Sequence, residues 1–173
     1  MNKFKYCLQI RGLSFSCLGS QVTLVLSLLP KIKGYWYLMD IRASNSGEEG
    51  FFLEFQNTDS LINYTSTVDQ FLSGVFLLIE KKVKIEKDAA YTEDPPFRND
   101  LKALLEIRAF DTSWLEVYTD DYNLAKKLHS LLIKPSFELS IKLTERHIHK
   151  FSDISDKDHW PYPNKPPDKG CHT

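Results

Sequence analysis

The sequence predicts an α+β domain in which a mostly antiparallel sheet carries two helices packed on one face. Three observations lead to this prediction: several segments alternate apolar and polar residues, two segments have a helical period, and short turns separate neighbouring strands. Hairpin connections favour antiparallel pairing, and an antiparallel sheet can be covered on one face only. Residues 1–151 are predicted to form this single domain, and residues 152–173 a polar, proline-rich C-terminal tail.

The strands are predicted from period-two alternation and from the turns that bound them. Residues 21–29 are apolar enough for a central strand, and in the next strand Ile41 is assigned to the same face as Tyr37 and Met39. Residues 88–100, with two prolines among acidic residues, are predicted to be a surface loop. The predicted strands are residues 3–10, 21–29, 35–42, 51–56, 104–110, 114–119 and 137–143.

Two helices are predicted from apolar residues at helical spacing. In residues 68–79 the apolar positions recur at i, i+3, i+4, i+7 and i+8, and Ser66 with Asp69 resembles a capping box. Residues 124–132 place their leucines on one face, with Asp120 or Asp121 as the N-cap and Pro135 after the end.

Composition narrows the classes of function. The chain has 173 residues and a net charge of −1, so it has no domain-wide positive field, and we expect no nucleic-acid partner. Its three cysteines, Cys7, Cys17 and Cys171, lack a CxxC pattern and are expected to be reduced thiols. The apolar run at residues 22–29 is too short to cross a bilayer and lacks a cleavage pattern after it. We therefore expect a cytoplasmic protein without a membrane partner.

The motifs of common enzymes do not occur in the sequence. It contains no GxGxxG, GxxxxGK[ST] or GxSxG pattern. His147 and His149 would share one face of a strand and could begin a metal site, with Glu145 as a third ligand. We favour the alternative that these are exposed polar residues at the end of a strand. We therefore expect no catalytic residue, no cofactor and no metal.

The hairpin over residues 104–119 concentrates the residues of greatest functional interest. Glu106 and Arg108 are predicted to lie on the polar face of one strand, and Glu116 on the facing strand. Trp114 and Tyr118 flank Glu116. The pattern fits a solvated sheet face with cross-strand ion pairs, a protein-binding face rich in hot-spot residues, or a catalytic pair of carboxylates.

Residues 104–132, LLEIRAFDTSWLEVYTDDYNLAKKLHSLL, resemble a segment of small bacterial immunity proteins, including those of contact-dependent growth inhibition systems. The resemblance covers a strand–turn–strand–helix pattern. It implies a non-catalytic cytoplasmic protein that neutralises a cognate toxin domain, often a nuclease, by occluding its active site.

The resemblance implies partner binding on the hairpin and on the residues that follow it. The candidate partner-binding residues are Trp114, Tyr118, Glu106, Arg108, Glu116, Asp120 and Asp121. Acidic groups at Glu48 and Glu49, and at Asp88, Glu93 and Asp94, are further candidates, since carboxylates can occupy a cationic substrate site. The alternatives are a small hydrolytic enzyme that uses the sheet-face carboxylates, and a structural or adaptor subunit.

Overall fold

The computed structural model describes residues 4–12, 17–44, 51–86, 89–92, 94, 103–132 and 139–145. The elements in chain order are β1 (Tyr6–Gly12), α1 (Gly19–Leu28), β2 (Tyr35–Ser44), β3 (Phe51–Phe55), α2 (Thr58–Thr65), β4 (Gln70–Ile79), β5 (Ala103–Phe110), β6 (Trp114–Thr119), α3 (Tyr122–Leu132) and β7 (Leu139–Glu145). The strands form one sheet in the order β3-β2-β4-β5-β6-β1-β7, and each neighbouring pair is antiparallel. The predicted α+β class with a mostly antiparallel sheet is confirmed. The predicted tail, residues 152–173, lies outside the described residues.

All three of these helices pack on one face of the sheet, which we call the helix face. Val22 of α1, Leu61 of α2 and Leu128 of α3 are completely buried there. They join Phe76 and Ile107 of the sheet in one apolar cluster. Full burial of such a side chain stabilises a fold by about 1.5–3 kcal/mol. The predicted placement on one face is correct, but the described part of the chain has three helices rather than two.

The opposite face of the sheet is covered by the connection between β4 and β5. We call the described part of this connection, residues 80–86, 89–92 and 94, the strap, and the sheet surface beneath it the strap face. Val83 and Ala90 of the strap pack in a second apolar cluster with Tyr37 and Leu77 of the sheet. The described part of residues 88–100 is irregular, as the prediction of a surface loop expects, but its Ala90 and Thr92 are buried against the sheet.

Residues 19–28 form helix α1, whereas the sequence predicted a strand over residues 21–29. Val22, Val25 and Leu26 are buried at i, i+3 and i+4, which is the spacing of one helix face. A short apolar run does not distinguish a buried helix from a buried strand. The run was therefore assigned to the wrong element.

Helix α1 approaches the end of α2 closely at Gly19. A Cβ atom there would lie 1.9 Å from the carbonyl oxygen of Val68 and 2.3 Å from that of Thr65, so only glycine fits. A hydrogen bond of 2.7 Å between the hydroxyls of Thr23 and Thr65 joins the same two helices.

Residues 70–79 form strand β4, whereas the sequence predicted a helix over residues 68–79. Six consecutive residues, Gly74 to Ile79, are buried, because β4 is a central strand covered on both faces. A strand with two buried faces is apolar at every position, so its residues also match helical spacing. Ser66, the predicted cap of that helix, instead caps the C-terminus of α2.

Helix α2 has no counterpart among the predicted elements. It begins after Asn57, whose side-chain oxygen accepts a hydrogen bond of 2.8 Å from the Ser60 backbone N–H. Leu61 and Thr65, four residues apart, are its buried positions. The N-cap residue was the sequence signal for this helix.

A β-bulge at Asp40 changes the face to which the end of β2 belongs. Asp40 has a φ of 50°, and the register of β2 shifts between Met39 and Arg42. Tyr37 and Met39 lie on the strap face, but Ile41 joins the helix-face cluster. The predicted assignment of Ile41 to the face of Met39 is therefore wrong.

The remaining elements agree in type with the predictions. The hairpins β2–β3 and β5–β6 form as expected, and α3 occupies the predicted second helix. Strand β7 agrees with the predicted strand over residues 137–143, of which residues 137 and 138 lie outside the described ranges.

Candidate functional site

The β5–β6 hairpin places the predicted site residues on one face, as the sequence indicated. Glu106 pairs with Tyr118 and Arg108 with Glu116 in the antiparallel register. Side chains directly opposite in such a register lie on the same face and contact one another. Trp114 is next to the turn and pairs with Phe110.

That face is not solvated, because it is the part of the strap face that lies beneath the strap. Glu106 is 0%, Arg108 1%, Glu116 7% and Tyr118 6% exposed. These four side chains, predicted to lie on a solvated, partner-binding or catalytic face, are therefore buried in the conformation described. The sequence did not indicate that the strap, which precedes β5, folds back over the hairpin.

Arg108 is the centre of the buried polar network. Its Nε donates to Glu106 Oε1 at 2.5 Å, which forms a buried ion pair. Its Nη1 donates to the carbonyl oxygens of Thr92, at 2.8 Å, and of Asp94. A buried charge is tolerated only when it is paired and hydrogen-bonded, and the strap supplies two of the acceptors that satisfy this guanidinium.

Glu116 is held by two neutral donors. The Tyr118 hydroxyl donates to Glu116 Oε2, and Gln9 Nε2 donates to Oε1 at 2.9 Å. Burial, together with the nearby Glu116 carboxylate, raises the pKa of the Tyr118 hydroxyl well above its usual range. The phenol therefore keeps its proton and acts as a hydrogen-bond donor.

Two further polar contacts attach the strap to β2. The Thr92 backbone N–H donates to Asp40 Oδ2 at 2.8 Å. The Tyr37 hydroxyl donates to the Val83 carbonyl oxygen and accepts from the Val83 N–H, each at 3.0 Å. These contacts and the Arg108 network hold the strap against the sheet.

Trp114 is the member of the predicted set that lies at the turn end of the hairpin. Its ring stacks on Phe110, with centroids 5.1 Å apart and planes at 14°. The guanidinium of Arg11, a residue of β1, lies 4.7 Å from the centroid of the Trp114 ring. The Trp114 backbone oxygen accepts a hydrogen bond from the Cys17 thiol at 3.2 Å. Trp114 is half-buried, so part of the ring faces solvent.

Asp120 and Asp121 are exposed at the opposite end of β6. Asp120 Oδ1 accepts a 2.8 Å hydrogen bond from the Lys5 backbone N–H. Asp121 Oδ1 accepts from the backbone N–H groups of Asn123, at 2.8 Å, and Leu124, at 3.1 Å, and thereby caps α3. The predicted capping role is confirmed for Asp121.

A pair of tyrosines beside these aspartates was missed by the sequence reasoning. Tyr122, the first residue of α3, contacts Tyr6 of β1 with ring centroids 5.4 Å apart. Tyr122 is 49% exposed. The two residues are far apart in the sequence and meet only through the pairing of β1 with β6, so no local pattern identifies them.

Two open depressions occur on the described surface. One, of about 380 Å³, lies between β2, β3 and the start of the strap, and contains the Glu54–Lys82 ion pair at 2.7 Å. The hydrogen bond to Glu54 raises the pKa of the exposed Lys82. The other, of about 530 Å³, is lined by residues that include Lys31, Tyr35 and Glu80.

The metal and acidic-cluster predictions fall mainly outside the described residues. His147, His149, Glu48, Glu49, Asp88 and Glu93 all lie there, as does the side chain of Glu145. Within the described ranges, no three His, Cys, Asp or Glu side chains are grouped so as to hold a metal ion. Asp94 is described, and its carboxylate accepts from the Tyr91 backbone N–H at 2.9 Å.

The fold and site together define an α+β protein with a sheet covered on both faces and an acidic, tyrosine-bearing corner. A comparison with known proteins finds no family model, no curated protein and no solved structure that matches the chain. None of the helices in the described ranges is both long and apolar enough to cross a membrane.

Proposed function

We propose that this chain is an immunity protein that binds a cognate toxin domain, a nuclease in the simplest case, and occludes its active site. In this proposal the protein acts in the cytoplasm by binding rather than by catalysis. It needs no cofactor, and its partner is a protein rather than a nucleic acid or a membrane.

The observation that supports the proposal is the way the resembling segment folds. Residues 104–132 form β5, β6 and α3, a continuous unit at the centre of the sheet and on the helix face. Its exposed corner presents Asp120, Asp121 and Tyr122 together. Carboxylates complement the cationic substrate site of a nuclease, and tyrosine is a frequent hot-spot residue in protein interfaces.

The seven predicted partner-binding residues therefore take different roles in the proposal. Asp120 and Asp121 would contact the toxin directly, and the exposed part of Trp114 is available at the other end of β6. The four buried residues would act indirectly, by fixing the hairpin from which the aspartates project: Glu106, Arg108, Glu116 and Tyr118.

The first experiment is co-expression of the chain with the C-terminal domain of the adjacent large open reading frame. The proposal expects a toxic domain whose growth defect the chain relieves, and a stable one-to-one complex. No toxicity, or toxicity without rescue, would contradict it.

The corner is tested with the double variant Asp120→Asn/Asp121→Asn, which removes two charges but keeps both side-chain acceptors. We expect the dissociation constant for the toxin to rise about tenfold or more, mainly through slower association, with weaker dependence on salt. Asp59→Asn is the matched control, because Asp59 is an exposed aspartate in the first turn of α2. Equal affinities for the two variants would exclude the corner as the binding surface.

A further inference from the structure

Strand β3 (Phe51–Phe55) stands at one end of the sheet and has an outer edge. Its inner edge pairs with β2, and no strand in the described ranges pairs with its outer edge. Alternate backbone N–H and C=O groups of a strand point towards each of its edges. The outer edge of β3 therefore carries donors and acceptors that one further extended strand can bind.

The side chains along this edge are mainly apolar and only partly covered. Leu53 and Phe55 are half-buried against the apolar cluster of the helix face. Phe52 is half-buried against the cluster of the strap face. A strand added beside β3 would extend both clusters and remove more of these side chains from water, which favours its binding.

Glu54 is the only charged residue of β3, and it is already neutralised within the same molecule. Its carboxylate pairs with Lys82 of the strap at 2.7 Å. Edge strands commonly resist the addition of another strand by carrying a lysine or a proline. Strand β3 contains neither of them, so its composition does not protect it from pairing.

A second copy of β3 matches this edge in one antiparallel register. If a two-fold axis passes beside Leu53, this residue lies opposite Leu53 of the second copy, and Phe52 lies opposite Glu54 of the second copy. All five residues are then paired, whichever alternate set of backbone groups points outward. Residues that are directly opposite share a face, so Leu53 meets leucine on the helix face. On the strap face, each Phe52 ring lies beside the Glu54–Lys82 ion pair of the other copy. The same five residues thus supply both sides of the contact, which identifies a second copy as the occupant.

We propose that two copies of this chain form a dimer by antiparallel pairing of β3 with β3, so that their two sheets become one continuous sheet. The proposal does not depend on the immunity function. Strand β6, which leads to the Asp120 and Asp121 corner, is four strands away from β3, or about 19 Å. Each copy keeps this corner accessible, and toxin binding would retain its one-to-one stoichiometry in the dimer.

Sedimentation equilibrium of the full chain is the first measurement. Over concentrations from below micromolar to hundreds of micromolar, we expect the mass to rise from that of the 20.1 kDa chain to twice that value. A monomer at all of these concentrations would overturn the proposal.

The residue on the two-fold axis provides a test of the register, because it meets its own counterpart. Leu53→Lys and Leu53→Glu each place two like charges opposite one another, so each variant alone should dimerise at least about tenfold more weakly than the wild type. An equimolar mixture should recover the dimer, since lysine then faces glutamate. Leu72→Lys is the matched control, because Leu72 is a leucine of β4 that is 42% exposed, and it should dimerise like the wild type.

Circular dichroism shows whether the two Leu53 variants are folded. If both are folded, unchanged dimerisation of either variant would overturn the proposal. A mixture that associates no more strongly than the separate variants would also overturn it.

Amide exchange in the wild type tests the same contact without any substitution. Exchange in β3 should become several-fold slower when the concentration rises from below to above the dissociation constant, because the outer backbone groups become hydrogen-bonded. Strand β7, at the other end of the sheet, is the internal reference and should exchange at the same rate at both concentrations. Exchange in β3 that does not depend on concentration, or slowing confined to β7, would overturn the proposal.

Discussion

Thr112 has a backbone conformation that β-branched residues rarely adopt. Asp111 and Thr112 have φ values of 39° and 56° in the turn between β5 and β6, and the Ser113 N–H donates to the Phe110 carbonyl oxygen at 2.7 Å. Positive φ at both central residues is typical of a type I′ turn, which suits the twist of a hairpin. Aspartate tolerates this conformation, whereas threonine is strained in it.

Replacing Thr112 by glycine is therefore expected to stabilise the protein. Relief of the strain, about 1–3 kcal/mol, exceeds the entropic cost of glycine, about 0.5–1 kcal/mol. We expect the free energy of unfolding in urea to rise by about 1 kcal/mol. Ser113→Gly is the control, since Ser113 has no positive φ, and it should leave stability unchanged or lower it. A Thr112→Gly variant that is no more stable than the wild type would show that the backbone of Thr112 is not strained in this turn.

The thiol of Cys17 makes stability depend on alkaline pH. Burial raises its pKa from the ordinary value of 9.0 to about 12. The folded state thus binds this proton more tightly than the unfolded state does. Its contribution is complete below pH 9 and is lost as the pH rises from 9 towards 12, at up to about 1.4 kcal/mol per unit.

The variant Cys17→Ala should flatten this dependence. Denaturation curves at pH 8 to 10.5 should show the free energy of unfolding falling more steeply in the wild type than in the variant. Tyr118 contributes a loss of the same sign above pH 10, because burial raises its pKa too, so the variant retains some slope. Below pH 8 the two slopes should coincide. Parallel curves up to pH 10.5 would show that the thiol is not buried as described.

For individual residues of the candidate site, the sequence indicated the face of the sheet but not the burial of the side chain. The alternation in β5 and β6 correctly placed Glu106, Arg108, Glu116 and Tyr118 on one face. The alternation could not show whether that face is exposed to solvent. The strap has no periodic pattern in its sequence, so nothing predicted that it would cover the sheet. Charged residues on a strand normally indicate solvent, and here they instead bind strap carbonyls and one another.

At the scale of elements, the sequence identified those that have one buried and one exposed side. Helix α3 is such an element: Leu124, Leu128 and Leu132 are buried, while Lys126 and Lys127 are exposed. Its period of 3.6 is therefore visible in the sequence.

Two elements were assigned incorrectly because they are buried on most sides and have no exposed side that would reveal their period. Helix α1 and strand β4 are both apolar runs, and the side-chain pattern of each fits more than one period. The pairing of the sheet distinguishes the two elements: β4 is the strand between β2 and β5, whereas α1 packs in the apolar cluster of the helix face. That information lies in tertiary contacts and not in either segment.

The packing of α3 gives a prediction at this scale. Leu128 is completely buried against the helix face, so Leu128→Ala should lower the free energy of unfolding by about 2–5 kcal/mol. Lys127→Ala is the control, because the neighbouring side chain is exposed and alanine favours helix. Urea denaturation of both variants provides the measurement. A Leu128→Ala variant as stable as Lys127→Ala would exclude the packing described.

At the scale of the whole molecule, the two faces of the sheet are covered by different means. The helix face carries a large apolar cluster, whereas the strap face combines a smaller apolar cluster with a buried polar network. Apolar packing tolerates small displacements, but hydrogen bonds to a buried guanidinium require fixed geometry. The strap is thus held by a few specific contacts, and its opening should be separable from global unfolding.

Removal of the Tyr37 hydroxyl tests whether the strap opens independently of global unfolding. The hydroxyl makes two hydrogen bonds to the backbone of Val83, one as donor and one as acceptor. Tyr37→Phe keeps the buried ring but leaves the Val83 N–H without its acceptor. Losing such a bond costs about 1–2 kcal/mol, so amide exchange at Val83 and along the strap should become about tenfold faster. Exchange in the central strands β5 and β6 should change much less.

Tyr35→Phe is the matched control for this measurement. Tyr35 lies on the same strand and packs against the same cluster, and its hydroxyl makes no hydrogen bond within the described ranges. Its removal should leave strap exchange unaltered. If Tyr37→Phe instead accelerates exchange equally in the strap and in β5 and β6, the strap opens only when the whole sheet unfolds. Local acceleration would establish the strap as a separate unit, one that covers or uncovers the Arg108 network while the sheet and the α3 corner stay folded.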